Sequence, residues 1–121
     1  MKKIIIFLAI IFMSSLSSIA QNIDANADNY TQVKAFHILT KTKNQAKSII
    51  TRVNNGESFR ELARKFSYCP SSQVGGNLGW FGRGEMVPEF EKAAFETPKG
   101  EISDPVKTEF GWHVIKVVDK K

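Results

Sequence analysis

Two histidines, His37 and His113, and one cysteine, Cys69, are the chain's entire stock of imidazole and thiol. A thiol beside an imidazole could begin a nucleophilic site, and two imidazoles with a thiolate supply three of the four ligands of a tetrahedral zinc site. Neither pattern has support in the surrounding sequence. The intervals of 32 and 44 residues from Cys69 to the two histidines carry no metal-binding signature. Cys69 lacks the glycines of a nucleophile elbow, and Asn77 is the single nearby amide that could orient a base. Dithiol redox chemistry needs a second cysteine, so it is excluded together with any intrachain disulfide. No metal or cofactor is expected.

The stretch GGNLGWFGRGEMVPEF, Gly75 to Phe90, is the other unusual feature, with five glycines in its first ten positions. Phosphate-binding loops require Gly-x-x-x-x-Gly-Lys-Ser/Thr or Gly-x-Gly-x-x-Gly, and Val87 stands where the third glycine of the latter would fall. A solvated linker does not carry Leu78, Trp80, Phe81, Met86 and Phe90. What is left is an ordered loop whose glycines bend the backbone sharply, so that Leu78, Met86 and Phe90 converge. Those side chains either fill the core or line an apolar pocket beside the histidines.

The elements that must position these groups follow from periodicity. Val33 to Leu39 reads as a buried central strand, with Ala35, His37 and Leu39 on one face and Phe36 and Ile38 on the other. Trp112 to Val118 reads as the last strand, with His113, Ile115 and Val117 sharing a face. Each histidine is thus mid-strand on an otherwise apolar face. It is either a satisfied core residue or, because both are central, hydrogen-bonded to its counterpart across the sheet. Ala46, Ile49, Ile50 and Val53 fall at helical spacing and stop at Asn54-Asn55-Gly56. Phe59, Leu62, Ala63 and Phe66 repeat that spacing behind a Ser58 and Glu61 capping box. Ser67 to Gly84 reads as irregular. Pro88 opens a third helix carrying Phe90, Ala93, Ala94 and Phe95, which Thr97-Pro98-Lys99-Gly100 ends. Glu101 to Lys107 reads as a brief strand that Asp104-Pro105 confines to an edge or bulge, and Thr108 to Gly111 as a turn. The sum is a small α+β domain with helices packed against a sheet.

Lys2 and Lys3, the apolar run Ile4 to Met13 and the small polar Ser14 to Ala20 have the layout of a secretory signal peptide, with Ser18 and Ala20 suited to cleavage before Gln21. An apolar run of about ten residues is too short to span a bilayer, which takes roughly twenty. Residues 1–20 are therefore expected to be removed, the protein to be periplasmic or secreted, and no stable membrane insertion to follow. Gln21 to Gln32, polar and rich in Asn and Asp, reads as a flexible leader before a domain over residues 33–119. Without Lys2 and Lys3 the chain carries 15 basic and 12 acidic side chains, a mild scattered excess that suits solubility rather than nucleic-acid binding.

Five segments in this order resemble the parvulin family of peptidyl-prolyl isomerases, above all its small single-domain bacterial members. They are Phe36-His37-Ile38-Leu39, Phe66 to Ser71 (FSYCPS), Gly75 to Phe81 (GGNLGWF), Arg83 to Phe90 (RGEMVPEF) and Pro105 to Ile115 (PVKTEFGWHVI), and together they cover nearly all of Val33 to Val118. The resemblance implies a four-stranded antiparallel sheet surrounded by about four short helices, with Gly79 to Gly82 as the fourth strand. It also implies a site. Leu78, Met86 and Phe90 match the proline-binding positions, and Phe81 matches an aromatic beside them. His37, Cys69, Thr108 and His113 match the polar group behind the isomerising bond. Members specific for phosphorylated Ser/Thr-Pro carry an arginine-bearing loop after the first strand, whereas Leu39-Thr40-Lys41-Thr42-Lys43 has two lysines and no arginine. Phe110 stands at the pocket rim where those members have serine, and Asn77 replaces an aspartate frequent in the glycine motif. The implied activity is isomerisation of Xaa-Pro bonds in unfolded or partly folded exported polypeptides, without phosphate specificity, by a monomer. The alternative is a non-catalytic, chaperone-like module that uses the same groove. Amide resonance holds the X–Pro bond behind a barrier of about 18–20 kcal/mol. Twisting the amide in an apolar socket lowers that barrier without a nucleophile, so covalent attack by Cys69 is unnecessary.

Overall fold

A computed structural model describes residues 29–121; the expected signal peptide and residues 21–28 of the expected leader lie outside the described residues. The chain runs through β1 (Gln32–Thr40), α1 (Lys43–Asn54), α2 (Phe59–Phe66), a 3-10 helix (Pro70–Val74), β2 (Asn77–Gly82), α3 (Pro88–Glu96), β3 (Val106–Thr108) and β4 (Gly111–Lys120). The four strands pair antiparallel in the order β2-β1-β4-β3. This is the α+β sheet that the family resemblance implies. The helices expected around it are, among the described residues, three α-helices and one 3-10 helix.

β1 is central because it can bury both faces. Strand alternation sends Ile38 and His37 to opposite sides. On the first side, Ile38 and Val114 lie beneath Ala46 and Ile49 of α1 and Phe59, Leu62 and Ala63 of α2. The second side carries His37 and its register partner Ile115, together with the rings of Phe81, Phe90 and Phe95. The helices are held in register by their ends. The Thr42 hydroxyl accepts from the Gln45 N–H at 3.1 Å, while Gln45 Oε1 accepts from the Thr42 N–H at 3.2 Å, a complete capping box for α1. At α2 only half of the expected box forms. Ser58 Oγ accepts from the Glu61 N–H at 3.3 Å, but the Glu61 carboxylate turns to the charged donor of Arg64 one turn on.

Several boundaries differ from the periodicity reading, among them that β4 runs from Gly111 to Lys120 rather than from Trp112 to Val118. β1 begins at Gln32, since the Thr31 and Gln32 N–H groups both donate to Lys121 O at 2.8 Å and the Lys121 N–H returns to Gln32 O at 3.0 Å. The span read as irregular contains the 3-10 helix and β2, and β2 starts at Asn77, two residues before the expected Gly79. The brief strand expected over Glu101 to Lys107 is broken. Ile102 makes an isolated bridge with Lys116, and only Val106–Thr108 continues as strand. Pro105 explains the gap, because it has no N–H to offer the ladder. Thr108 consequently belongs to β3, opposite Gly111, and the turn is shorter than expected.

Candidate active site

In the β1–β4 register His37 faces Ile115 and Leu39 faces His113, which makes the two histidines diagonal neighbours on one face. Their rings stack with centroids 5.3 Å apart and an interplanar angle of 17°. The two Nδ1 atoms are 3.1 Å apart. A hydrogen bond between two such nitrogens needs one N–H and one lone pair, so the rings hold opposite tautomers. The line continues at both ends, from His37 Nε2 to Ser71 Oγ at 3.1 Å and from His113 Nε2 to Thr108 Oγ1 at 2.7 Å. Ser71, His37, His113 and Thr108 thus form one row in which placing one proton places the rest. Burial, and secondarily a charge on His113, pushes the His37 pKa down to about 4; burial alone does the same to His113, also to about 4. Both imidazoles are neutral at pH 7. The two alternatives for these residues, a satisfied core position or a partner across the sheet, are therefore one arrangement.

Close backbone contacts lay the other groups around this pair. The His37 N–H donates to Gly76 O at 2.9 Å, and a Cβ on Gly76 (φ +83°) would lie 2.4 Å from His37 O. Only glycine lets the chain cross there. Gly111 opens β4 in the same manner, two residues before His113, with a Cβ position 2.5 Å from Thr40 O. The segment carrying Cys69 is stitched to β1. The Tyr68 N–H donates to Leu39 O at 2.9 Å, and Ser67 Oγ accepts from the Leu39 and Cys69 N–H groups at 3.0 and 3.3 Å.

Against the histidines opens a cavity of about 580 Å³ whose wall includes Leu78, Met86 and Phe90. Phe90 ties wall to floor, its ring edge-on to His37 at 5.5 Å and to His113 at 5.1 Å. Cys69 and Phe110 also line the cavity, so seven of the nine expected site residues meet there. The other two stand behind it. Thr108 is buried under His113 and accepts the Phe110 N–H at 3.2 Å. Phe81, expected as an aromatic beside the proline-binding positions, is buried behind the wall on the His37 face of the sheet, packed on Phe90 at 6.1 Å and Phe95 at 6.4 Å. Among the described residues no hydrogen bond joins the Cys69 thiol to either imidazole, so the row reaches Thr108 and Ser71 rather than Cys69. Residue reasoning missed Ser71, whose one sequence signal is a hydroxyl in the first turn of a Pro-led segment, and the lining residues Leu39 and Tyr68. The whole offers an apolar socket, with room for more than one small ring, beside a neutral hydrogen-bonding floor.

The profile of the PpiC-type PPIase domain matches residues 17–121. A foldase protein PrsA of Geobacillus kaustophilus is 50% identical over 96 residues, which are 78% of this chain and 34% of that protein. The peptidylprolyl isomerase PrsA of Bacillus anthracis superposes with a TM-score of 0.74 at 41% identity, over 84% of this chain and 46% of the other. The parvulin of Nitrosopumilus maritimus gives 0.69 at 41% identity, over 74% of this chain and 97% of the other. The chain therefore spans about a third of the curated foldases it matches and matches nearly the whole of that parvulin chain. With its sheet order, histidine pair and apolar socket in place, the chain belongs to the family of PpiC-type peptidyl-prolyl isomerase domains, the parvulins.

Proposed function

We propose that the protein is a peptidyl-prolyl cis/trans isomerase that assists the folding of exported polypeptides by a non-covalent mechanism. The observation that carries this reading is the apolar cavity closed by Leu78, Met86 and Phe90 over two neutral histidines. The proline ring enters the socket, and the Xaa-Pro amide lies over Cys69, His37 and His113. A planar amide owes its stiffness to a charge-separated resonance form, which an apolar, water-poor wall stabilises less than water does. The twisted amide has little of that form and is relatively favoured. Each factor of ten in rate needs about 1.4 kcal/mol of such preference for the twisted state. The histidine row acts by position. It holds a fixed, uncharged surface, and Thr108 and Ser71 keep its tautomers from wandering.

Phosphate has no clamp in this reading. The two lysines after β1 lie over aromatic rings, Lys41 Nζ 4.8 Å from the Tyr68 centroid and Lys43 Nζ 5.5 Å from that of Trp112. A Ser-Pro peptide should be turned over at least as fast as its phosphorylated form in side-by-side exchange measurements; a gain of more than about tenfold on phosphorylation contradicts this part. The charged, apolar and small-residue pattern of residues 1–20 supports export to the periplasm or beyond, and the protein is taken to act as a monomer.

The test is the slow refolding phase of a protein limited by a proline bond. A hundredth of an equivalent should accelerate it, and the Met86→Ala, Phe90→Ala double variant should not. An unchanged phase with wild-type protein overturns the reading. The exposed rings at the cavity mouth, Tyr68 and Phe110, favour a second reading, a binding module that shields apolar chain segments without catalysis. That reading requires suppression of client aggregation with no effect on the slow phase.

A further inference from the structure

Of the three side chains that close the socket, Leu78 stands on β2 and Phe90 on α3, but Met86 stands on the loop between them, residues 83–87. Methionine is unbranched and turns about three bonds, so its place in a wall depends on how firmly its backbone is held. That backbone is held by carboxylates. Glu85 folds the loop on itself, its Oε2 accepting the Gly82 N–H. Glu91 reaches back from α3, its Oε1 accepting the Gly84 N–H at 2.6 Å. Gly84 has a φ of +86°, so the loop turns sharply at the residue that Glu91 grips.

Glu91 does so from a firm base. Its own N–H donates to Val87 O at 3.0 Å, and its neighbour Phe90 is edge-on to His37 and His113 at 5.5 and 5.1 Å. An acid in the first turn of a helix ordinarily serves the helix dipole and needs no further partner. Here α3 has no side-chain cap at Val87, and its first-turn Glu91 turns to a loop N–H seven residues back. A second tie lies alongside, with the Arg83 guanidinium 4.1 Å from the centroid of Phe95 on α3. The line from the histidine floor to Met86 therefore runs through Phe90, Glu91 and Gly84.

We propose that Glu91 is a positioning residue of the isomerase: by clasping Gly84 it holds Met86 in place relative to Phe90 and so sets the width of the socket that receives the proline ring. The proposal rests on the isomerase reading of the socket. Without the clasp the loop keeps its internal Glu85 bond but loses its hold on the first turn of α3, and Met86 moves away from the ring. Proline occupies the socket in both the planar and the twisted state, so the loss falls on KM and spares kcat.

The test compares, in the full chain, Glu91→Ala with Glu91→Gln, whose side-chain carbonyl still accepts a hydrogen bond. Two-dimensional NMR exchange on an Xaa-Pro peptide gives KM and kcat, and amide shifts of the labelled protein give peptide affinity. Glu91→Ala should raise KM about three- to tenfold at a kcat within about twofold, the range of one hydrogen bond, and Glu91→Gln should recover most of that loss. The methyl carbon signal of Met86, identified among the three methionines as the one missing in Met86→Leu, should move in Glu91→Ala and return toward its wild-type position in Glu91→Gln. An unchanged KM overturns the clasp, including the case in which kcat alone falls, which is what partial unfolding would give. A Gln variant no better than Ala also overturns it. Hydrogen exchange at the Gly84 N–H of the wild-type protein as fast as in an unprotected peptide overturns it without any variant. If the wild-type protein turns over no peptide, the isomerase reading falls by itself; the clasp is then upheld by the same ratios in peptide affinity together with the Met86 shift, and overturned if both are unchanged.

Discussion

The row Ser71–His37–His113–Thr108 makes a quantitative claim about pH. The chain has two histidines, and both are buried with pKa values near 4 against 6.5 when exposed. Between these values the unfolded chain binds more protons than the folded one, so stability rises with pH and is lost as pH falls from 6.5 toward 4. Integrating that difference from pH 7.5 to pH 5 gives a loss of about 2 kcal/mol per histidine, about 4 kcal/mol for the pair. Near pH 5 unfolding should take up almost two protons, a slope of roughly 2.5 kcal/mol per pH unit. No other side-chain type has its ordinary pKa inside this window, and the two carboxylates held below their usual range, Glu57 and Asp119, contribute beneath it. The assay is urea unfolding at half-unit steps of pH, beside an NMR titration of the two imidazoles in the folded protein. Both rings should stay neutral down to pH 5, and His37→Gln should remove about half of the slope. Stability constant within about 1 kcal/mol from pH 7.5 to 5 refutes the reasoning, as does a folded-state imidazole titrating near 6.5.

Three substitutions test other parts of the account. Gly76→Ala puts a Cβ against His37 O at a positive φ of 83°, so it should cost about 3 kcal/mol or more in urea unfolding, and a loss below 1 kcal/mol contradicts the close crossing. Phe81→Ala should lower stability by about 3–5 kcal/mol, as for a core aromatic, while the KM for an Xaa-Pro peptide, measured well below the unfolding transition, stays within about threefold; a large KM effect in a stable variant would restore Phe81 to the pocket wall. Cys69→Ser should keep turnover within about tenfold, since no bond to the thiol is needed, and a thousandfold loss in kcat would revive an obligatory nucleophile.

The parts of the fold visible in the sequence are those with local causes. Val33 to Leu39 and Trp112 to Val118 are short, largely apolar runs of strand length, and the parity of His37 and His113 already gave each a definite strand face; register then made them diagonal neighbours. The spacing of Phe59, Leu62 and Ala63 found α2, yet its capping box is half formed because Arg64 outbids the Ser58 backbone for Glu61. Distant partners were invisible. Ser71 reaches His37 across 34 residues, and β2 is ordered by pairing with β1 rather than by its own glycine-rich composition. The roles of Cys69 and Thr108 came from family resemblance alone, and geometry separates them: Thr108 joins the histidine row and Cys69 faces the cavity. Phe81 likewise came from the resemblance; its register with Val33 puts it on the His37 face of the sheet, where it is buried behind Phe90.

The central claim is that this socket turns proline amides catalytically. Exchange spectroscopy on a Phe-Pro peptide, with protein present at one part in a hundred, tests it directly. The account predicts cis and trans peaks exchanging well above the uncatalysed rate of tens to hundreds of seconds per event, and a return to that rate in the Met86→Ala, Phe90→Ala variant. An exchange rate indistinguishable from peptide alone, with the wild-type protein folded in the same tube, would contradict it.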